Sequence, residues 1–196
     1  MKLISRLIIL LTPFILLNTA YCVDIKNNSS YQFDLRGDDG DIITDRFSIY
    51  KETENPGPKI SGFIEGQWNL DNDNWEKVLA GGQIETNLFK YFYLGQSIHF
   101  ISGDVLDYLG FDAENSSIET TLKIGVGFPL AWKTRLDFRN EYSYNLEKCE
   151  ASLNEMILDI SYPLNENTSI AAGGKHTDRI NGFDTDYLTL SIALDF

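Results

Sequence analysis

The chain has 196 residues, of which 16 are basic and 29 acidic, and its formal net charge is −13. This length favours a single domain, and a share of 43% aliphatic and aromatic residues is too high for a disordered protein. The acidic balance argues against nucleic acid as a partner, because such binding depends on Lys and Arg side chains that neutralise phosphates.

The first 22 residues have the order of a secretory signal peptide. Lys2 and Arg6 precede an apolar run over Leu7–Leu17, and small and polar residues follow it. The run has 11 residues, which is too short for a membrane-spanning helix. We therefore expect residues 1–22 to be a signal peptide, with two alternatives for Cys22: removal with the leader, or retention as a lipidated residue.

What recurs after the leader is an alternation of apolar and polar residues with a period of two, which is typical of a half-buried strand. It is clearest at the C-terminus, where Leu188, Leu190, Ile192, Leu194 and Phe196 alternate with polar or small residues. The same alternation predicts eight strands in residues 59–196. They lie near Ile60–Trp68, Val78–Leu88, Phe92–Ile101, Ile118–Leu130, Leu136–Leu146, Met156–Leu164, Ser169–His176 and Tyr187–Phe196.

Strand lengths and connections together predict a membrane barrel. Most strands have about 9–13 residues, enough for a tilted strand to cross a bilayer. Long or acidic connections alternate with short ones along the chain. The fold predicted for residues 59–196 is an all-β, eight-stranded, antiparallel up-and-down transmembrane β-barrel. The polar, Asp-rich segment of residues 23–58 is predicted to be a periplasmic N-terminal extension or a partial lumen insert.

The last strand resembles the assembly signal of small bacterial outer-membrane β-barrels, because the chain ends in Phe196 and has Leu194 and Ile192 at the alternate positions before it. The likeness covers residues 59–196. It implies a monomer in the bacterial outer membrane, surrounded by lipid and lipopolysaccharide, whose last strand is recognised by the barrel-assembly machinery. The alternative is a soluble, exported β-sandwich or lipocalin-like barrel whose apolar faces point inward.

If the apolar faces meet lipid, the polar faces line the lumen. The predicted lumen network comprises Glu65, Glu85, His99, Glu119, Lys123, Arg135, Asp137, Arg139, Glu141, Glu155 and Asp159. Eight strands enclose a space that side chains can fill, and unpaired buried charges are costly. We therefore expect an ion-paired plug, with a narrow ion pore as the alternative.

One further pattern lies at the outer end of the seventh predicted strand, where Asp186 follows His176 across a loop. This layout resembles the lipid A deacylase family of eight-stranded barrels, which has a serine two residues after the histidine. That position is Asp178 here, so the nucleophile that acyl transfer needs is missing. The resemblance implies only His176 and Asp186 as catalytic candidates.

The expected function is non-enzymatic: a structural or surface-interaction role through acidic extracellular loops. The alternatives are a narrow channel for ions or small solutes and a lipid A-modifying enzyme that uses His176. The mature chain has no Gly-rich phosphate loop, no Cys pair and no His-rich ligand set, so neither a cofactor nor a metal is expected.

Overall fold

The structure, a computed structural model, describes residues 24–37, 40–52, 57–71, 73–102, 116–179 and 184–196. These residues form ten strands and one 3-10 turn, Ala131–Lys133. The strands are β1 Asp24–Asp34, β2 Ile42–Glu52, β3 Lys59–Asn69, β4 Asn74–Asn87, β5 Phe92–Ser102, β6 Ser116–Pro129, β7 Arg135–Asn145, β8 Glu150–Pro163, β9 Thr168–Arg179 and β10 Thr185–Asp195. Within the described ranges, no helix is long and apolar enough to cross a membrane. The predicted signal peptide lies outside them.

The sheet is closed and antiparallel throughout. Each strand pairs with its neighbours in sequence, and β1 pairs with β10 from Lys26 opposite Asp195 to Asp34 opposite Tyr187. Closure gives the backbone groups of every strand a partner on both sides, which a β-structure inside a bilayer requires. The predicted all-β, up-and-down barrel is therefore confirmed.

The predicted strand number is wrong, because the barrel has ten strands instead of eight. The segment of residues 23–58, predicted as a periplasmic N-terminal extension or a partial lumen insert, supplies β1 and β2. Strand β2 pairs with β3 from Ile42 opposite Asn69 to Glu52 opposite Lys59. The eight strands predicted in residues 59–196 are present as β3–β10.

The outer face of the barrel is apolar. Large hydrophobic side chains at alternate strand positions are exposed, among them Ile98 at 55% and Leu190 at 59%. Aromatic side chains lie near the strand ends, including the exposed Phe92, Phe128 and Phe196. An apolar band flanked by aromatic residues is the lipid-contacting surface of a membrane barrel. The soluble alternative required these faces to point inward, which they do not.

The two ends of the barrel differ. At the end of the barrel where β1 begins and β10 ends, the strands are connected by residues 53–58, 88–91, 130–134 and 164–167. Residues 35–41, 70–73, 103–115, 146–149 and 180–184 connect the strands at the other end. Outer-membrane barrels have short turns on the periplasmic side, so we assign the first end to the periplasm and the second to the cell surface.

Candidate functional site: the charged lumen

Alternate residues of each strand point into the barrel and surround a cavity of about 560 Å³. All eleven residues of the predicted lumen network line this cavity, and they come from six strands, β3 to β8. The structure thus brings the whole predicted set together around one space.

Five basic residues of the lumen were not predicted: Lys26, Arg46, Lys59, Lys77 and Lys175. Two of them belong to β1 and β2, whose strand character the sequence pattern did not reveal. Lys77 could have been predicted from the sequence, because it lies an even number of residues before Glu85 on the same strand and therefore shares its face. With these five, the cavity lining has eight bases and seven acids, where the sequence had suggested three bases among seven acids.

The densest part of the network lies on β7 and its neighbours. Arg139 Nη1 is 2.9 Å from Asp159 Oδ2 and 3.6 Å from Asp137 Oδ1, and Arg139 Nε is 3.0 Å from Glu141 Oε1. Glu141 also lies 3.4 Å from Lys123 Nζ. Arg139 therefore holds three carboxylates together along this wall of the lumen.

A second group lies on β2, β3 and β4. Arg46 donates to Gln83 Oε1 at 2.8 Å and lies 3.5 Å from Glu65 Oε2. The Arg46 guanidinium is also 3.8 Å from the ring centre of Phe63, which is a cation–π distance. These contacts hold the Arg46 side chain against the lumen faces of β3 and, beyond it, β4.

Glycines on the lumen face leave room for large side chains to lie flat. The ring of Tyr93 rests on Gly125, where an added Cβ would collide with it, and the Tyr93 hydroxyl donates to Asp137 Oδ1 at 2.7 Å. Gly127 makes the same room for the guanidinium of Arg135. Both side chains therefore pack against β6, the strand that carries these two glycines.

The lumen ion pairs could either cross the cavity or follow its wall, depending on which strands they join. In the described part of the chain, each lumen ion pair joins residues of one strand or of two adjacent strands, as in Arg46 with Glu65 and Lys175 with Glu155. None of these pairs bridges opposite walls. The ion pairs therefore run along the lumen wall, around the cavity.

His99 is a packed member of the lumen wall. It is buried, its Nδ1 lies 3.4 Å from Ser97 Oγ, and its ring centre is 6.1 Å from that of Phe63. Gly81 lies directly opposite His99 on β4 and lets the two strands approach closely, because a Cβ there would collide with the Ile98 carbonyl and with Cα and Cβ of His99.

The two deacylase-like candidates do meet, but on the outside of the barrel. His176 Nδ1 lies 2.7 Å from Asp186 Oδ1, and Asp186 also accepts a hydrogen bond from Arg36 Nε at 2.9 Å. The adjacent hydroxyl residue, Thr177, is buried on the lumen side and donates to Glu155 at 3.3 Å. The pair therefore lies on the opposite face of the sheet from Thr177.

The residues of the predicted assembly signal lie on the outer face of β10. Ile192 and Phe196 are exposed, and the Phe196 amide donates to the carbonyl of Ile25 on β1 at 2.9 Å. The C-terminal strand is therefore one side of the pair that closes the barrel.

No site for a metal ion emerges from the described residues, which contain no group of three or more suitably placed His, Cys, Asp or Glu side chains. Among the acidic loop residues, Asp71 and Asp73 are exposed. The loop acids Asp104, Asp107, Asp112 and Glu114 lie outside the described ranges.

These features define the class of the protein. A closed antiparallel barrel that is apolar outside and charged inside, with short turns at one end, is a small β-barrel of the bacterial outer membrane.

No protein-family model matches the chain, and no curated protein matches it. Solved structures with a similar fold include a KdgM porin in complex with disordered oligogalacturonate, with a TM-score of 0.47 and 10% identity over 89% of this chain and 99% of that one. The transport unit of the autotransporter AIDA-I from Escherichia coli has a TM-score of 0.43 and 11% identity, covering 89% of both chains. The N-terminal β-barrel domain of Pseudomonas aeruginosa OprF has a TM-score of 0.37 and 6% identity over 88% and 97%. Likenesses this distant leave the function to be argued from the lumen of this chain.

Proposed function

We propose that the protein is a narrow channel through which ions and small hydrophilic solutes cross the outer membrane. The observation that carries this proposal is the course of the lumen ion pairs, which follow the wall between adjacent strands and do not cross the cavity. Polar walls around a cavity are what a pore requires.

The width of the barrel supports the same function. The expected plug depended on eight strands, whose interior side chains can fill. Barrel diameter grows with strand number, so ten strands enclose a wider lumen. The Tyr93 ring and the Arg135 guanidinium pack over Gly125 and Gly127 at the lumen wall.

The experiment compares two tryptophan variants on β10. Ser191 lines the cavity, while its neighbour Leu190 points outward. Ser191→Trp is expected to lower the single-channel conductance in planar bilayers by about twofold, because it adds bulk inside a narrow pore. Leu190→Trp adds an aromatic ring on the lipid side and serves as the matched control. Equal conductance of the two variants, or no ohmic steps from the unmodified chain, would contradict the channel.

We also propose the partners that such a barrel needs: lipid and lipopolysaccharide around the apolar band, and the barrel-assembly machinery at β10. The exposed Phe196 and Ile192 at the closing strand support the second. Deletion of Phe196 is expected to slow insertion into vesicles that contain the assembly machinery. Insertion into plain lipid vesicles should stay unchanged, and an equal effect in both would point to a general folding defect.

A further inference from the structure

Two periplasmic turns carry the most exposed large apolar side chains of the described residues. Phe89, in the turn between β4 and β5, is 73% exposed, and Trp132, in the turn between β6 and β7, is 89% exposed. We call these two turns, residues 88–91 and 130–134, the aromatic turns. Because β4, β5, β6 and β7 are consecutive in the closed sheet, both turns lie on the same side of the barrel.

Ring contacts place the aromatic turns on the lipid side of the barrel wall. The ring centre of Tyr91 lies 5.3 Å from that of Phe128, and the ring centre of Phe89 lies 6.4 Å from that of Phe92. Phe92 and Phe128 are exposed at outward positions of β5 and β6. The aromatic turns therefore continue the apolar outer face past the ends of the strands, to the depth at which lipid headgroups begin.

The charge of the aromatic turns is opposite to that of the whole chain. Their charged residues are Lys90 and Lys133, both exposed, in a chain whose formal net charge is −13. Lys90 Nζ lies 5.1 Å from the ring centre of Tyr91, and neither lysine forms an ion pair with a residue that the structure describes. The turn between β8 and β9 instead carries the acid Glu166.

The backbone of the second aromatic turn has a conformation that is rare for its residues. The φ angles of Trp132 and Lys133 are 57° and 63°, in the left-handed region that favours glycine. Thr134 closes the turn, because its amide and its hydroxyl both donate to the Ala131 carbonyl, at 3.2 and 2.6 Å. Such conformations are frequent at binding sites, and here they hold an exposed ring and an exposed ammonium group next to each other.

From these observations we infer that the aromatic turns bind the anionic headgroups of phospholipids in the periplasmic leaflet. The rings of Phe89, Tyr91 and Trp132 lie among the upper acyl chains and headgroups, and Lys90 and Lys133 pair with the phosphates. The β4–β7 side of the barrel thus recruits acidic lipid, which the Glu166 turn does not. This lipid contact is separate from the proposed channel and does not depend on it.

The test measures which lipid lies next to Trp132. In a Trp68→Phe and Trp75→Phe background, Trp132 is the one remaining tryptophan. The chain is refolded into vesicles of equal parts phosphatidylglycerol and phosphatidylcholine, in which one lipid at a time carries a bromine quencher. Brominated phosphatidylglycerol is expected to quench Trp132 about twofold more than brominated phosphatidylcholine. Both leaflets have the same composition, so the direction of insertion does not affect the result.

Lys90→Gln with Lys133→Gln should make the two brominated lipids quench Trp132 equally. Added KCl at about 1 M should have the same effect on the native lysines, because the Debye length is then only about 3 Å. Lys148→Gln is the matched control, since it removes the same charge from an exposed turn at the other end of the barrel. It should leave the preference for phosphatidylglycerol unchanged.

Heat-modifiability on an unboiled gel shows whether each variant is folded. If the tryptophan substitutions prevent folding, spin-labelled lipids replace fluorescence: the native chain should immobilise more phosphatidylglycerol than phosphatidylcholine, and the double lysine variant should remove the difference. Equal interaction with both lipids, or a preference that survives the loss of both lysines, would overturn the inference. Absence of quenching by either lipid would also overturn it, since the aromatic turns would then lie in the aqueous periplasm, open to a protein partner.

Discussion

At the scale of single residues, the shape of the lumen depends on where glycine stands opposite a large side chain. The ring of Tyr93 lies over Gly125, and its hydroxyl donates to Asp137 on β7. A side chain at Gly125 would push the ring into the lumen and break that hydrogen bond. The lumen wall is flat at this position because β5 supplies the Tyr93 ring and the adjacent β6 supplies the glycine that makes room for it.

Gly125→Ala is therefore expected to destabilise the barrel by about 1–3 kcal/mol, the usual cost of an added group in a tightly packed place. Gly174→Ala is the matched control, because an added Cβ there comes no closer than 3.7 Å to its nearest neighbour. Urea unfolding of both variants in lipid vesicles measures the difference. Equal free energies of unfolding for the two variants would show that the packing of the Tyr93 ring does not depend on a glycine at position 125.

A second prediction concerns Arg139, which lies within ion-pairing distance of three carboxylates. Arg139→Met would leave Asp137, Glu141 and Asp159 facing one another in a partly buried place, at a cost of roughly 3 kcal/mol.

Arg135→Met is the control for Arg139→Met, because it makes the same substitution on the same strand. The Arg135 side chain is 55% exposed and lies 3.5 Å from Asp137, and pairs of this kind contribute about 0–1 kcal/mol. Urea unfolding of the two variants should separate them clearly. A smaller loss for Arg139→Met than for Arg135→Met would contradict the role given to Arg139.

At the scale of elements, the sequence predicts β3–β10 well because each has one apolar face. It does not predict β1 and β2, because polar residues interrupt their outward faces. Asn27 and Ser29 occupy outward positions of β1, and Asp45 does so on β2. Alternation is the only local signal of such a strand. Where polar residues interrupt it, the sequence pattern does not reveal the strand, although pairing with β3 and β10 forms the strand in the barrel.

The lumen set could be predicted for a related reason. Once the outward positions of a strand are known, those between them must face the lumen, so Glu65 and Asp159 could be assigned without knowledge of their partners. The partner of Glu65 could not be assigned, since Arg46 lies on the unpredicted β2. The alternation therefore predicted all seven acids of the lumen lining but only three of its eight bases.

The orientation of the elements leads to a labelling prediction. Cys149 is exposed in the turn between β7 and β8, at the end assigned to the cell surface. A membrane-impermeant maleimide should label it on intact cells. Glu166→Cys with Cys149→Ser places the thiol in the turn between β8 and β9, at the opposite end, and should be labelled only after the membrane is disrupted. The reverse labelling pattern would show that the barrel has the opposite orientation in the membrane.

At the scale of the whole molecule, charge is sorted by location. Eight of the 16 Lys and Arg side chains line the main cavity, together with only seven of the 29 Asp and Glu side chains. The acidic residues of the chain therefore lie mostly outside the lumen. This distribution is expected for a polar pore whose walls are close to electrically balanced, inside a protein that is acidic overall.

The number of strands decides between a channel and a plug, because it sets the width of the lumen. A disulfide across the closing pair tests it most directly. Asn28 lies opposite Ala193, and directly opposed residues of antiparallel strands have Cα atoms about 4.5–5.5 Å apart, within the range of a disulfide.

Asn28→Cys with Ala193→Cys, in a Cys149→Ser background, is predicted to form a disulfide in the folded barrel. The competing pair is Ser61→Cys with Ala193→Cys, since Ser61 on β3 would lie near β10 only if eight strands closed the barrel. Non-reducing gels of the refolded chains give the result. A bond between positions 28 and 193 with none between 61 and 193 is what ten strands require. The opposite result would contradict the ten-stranded barrel and restore the narrower, plugged one.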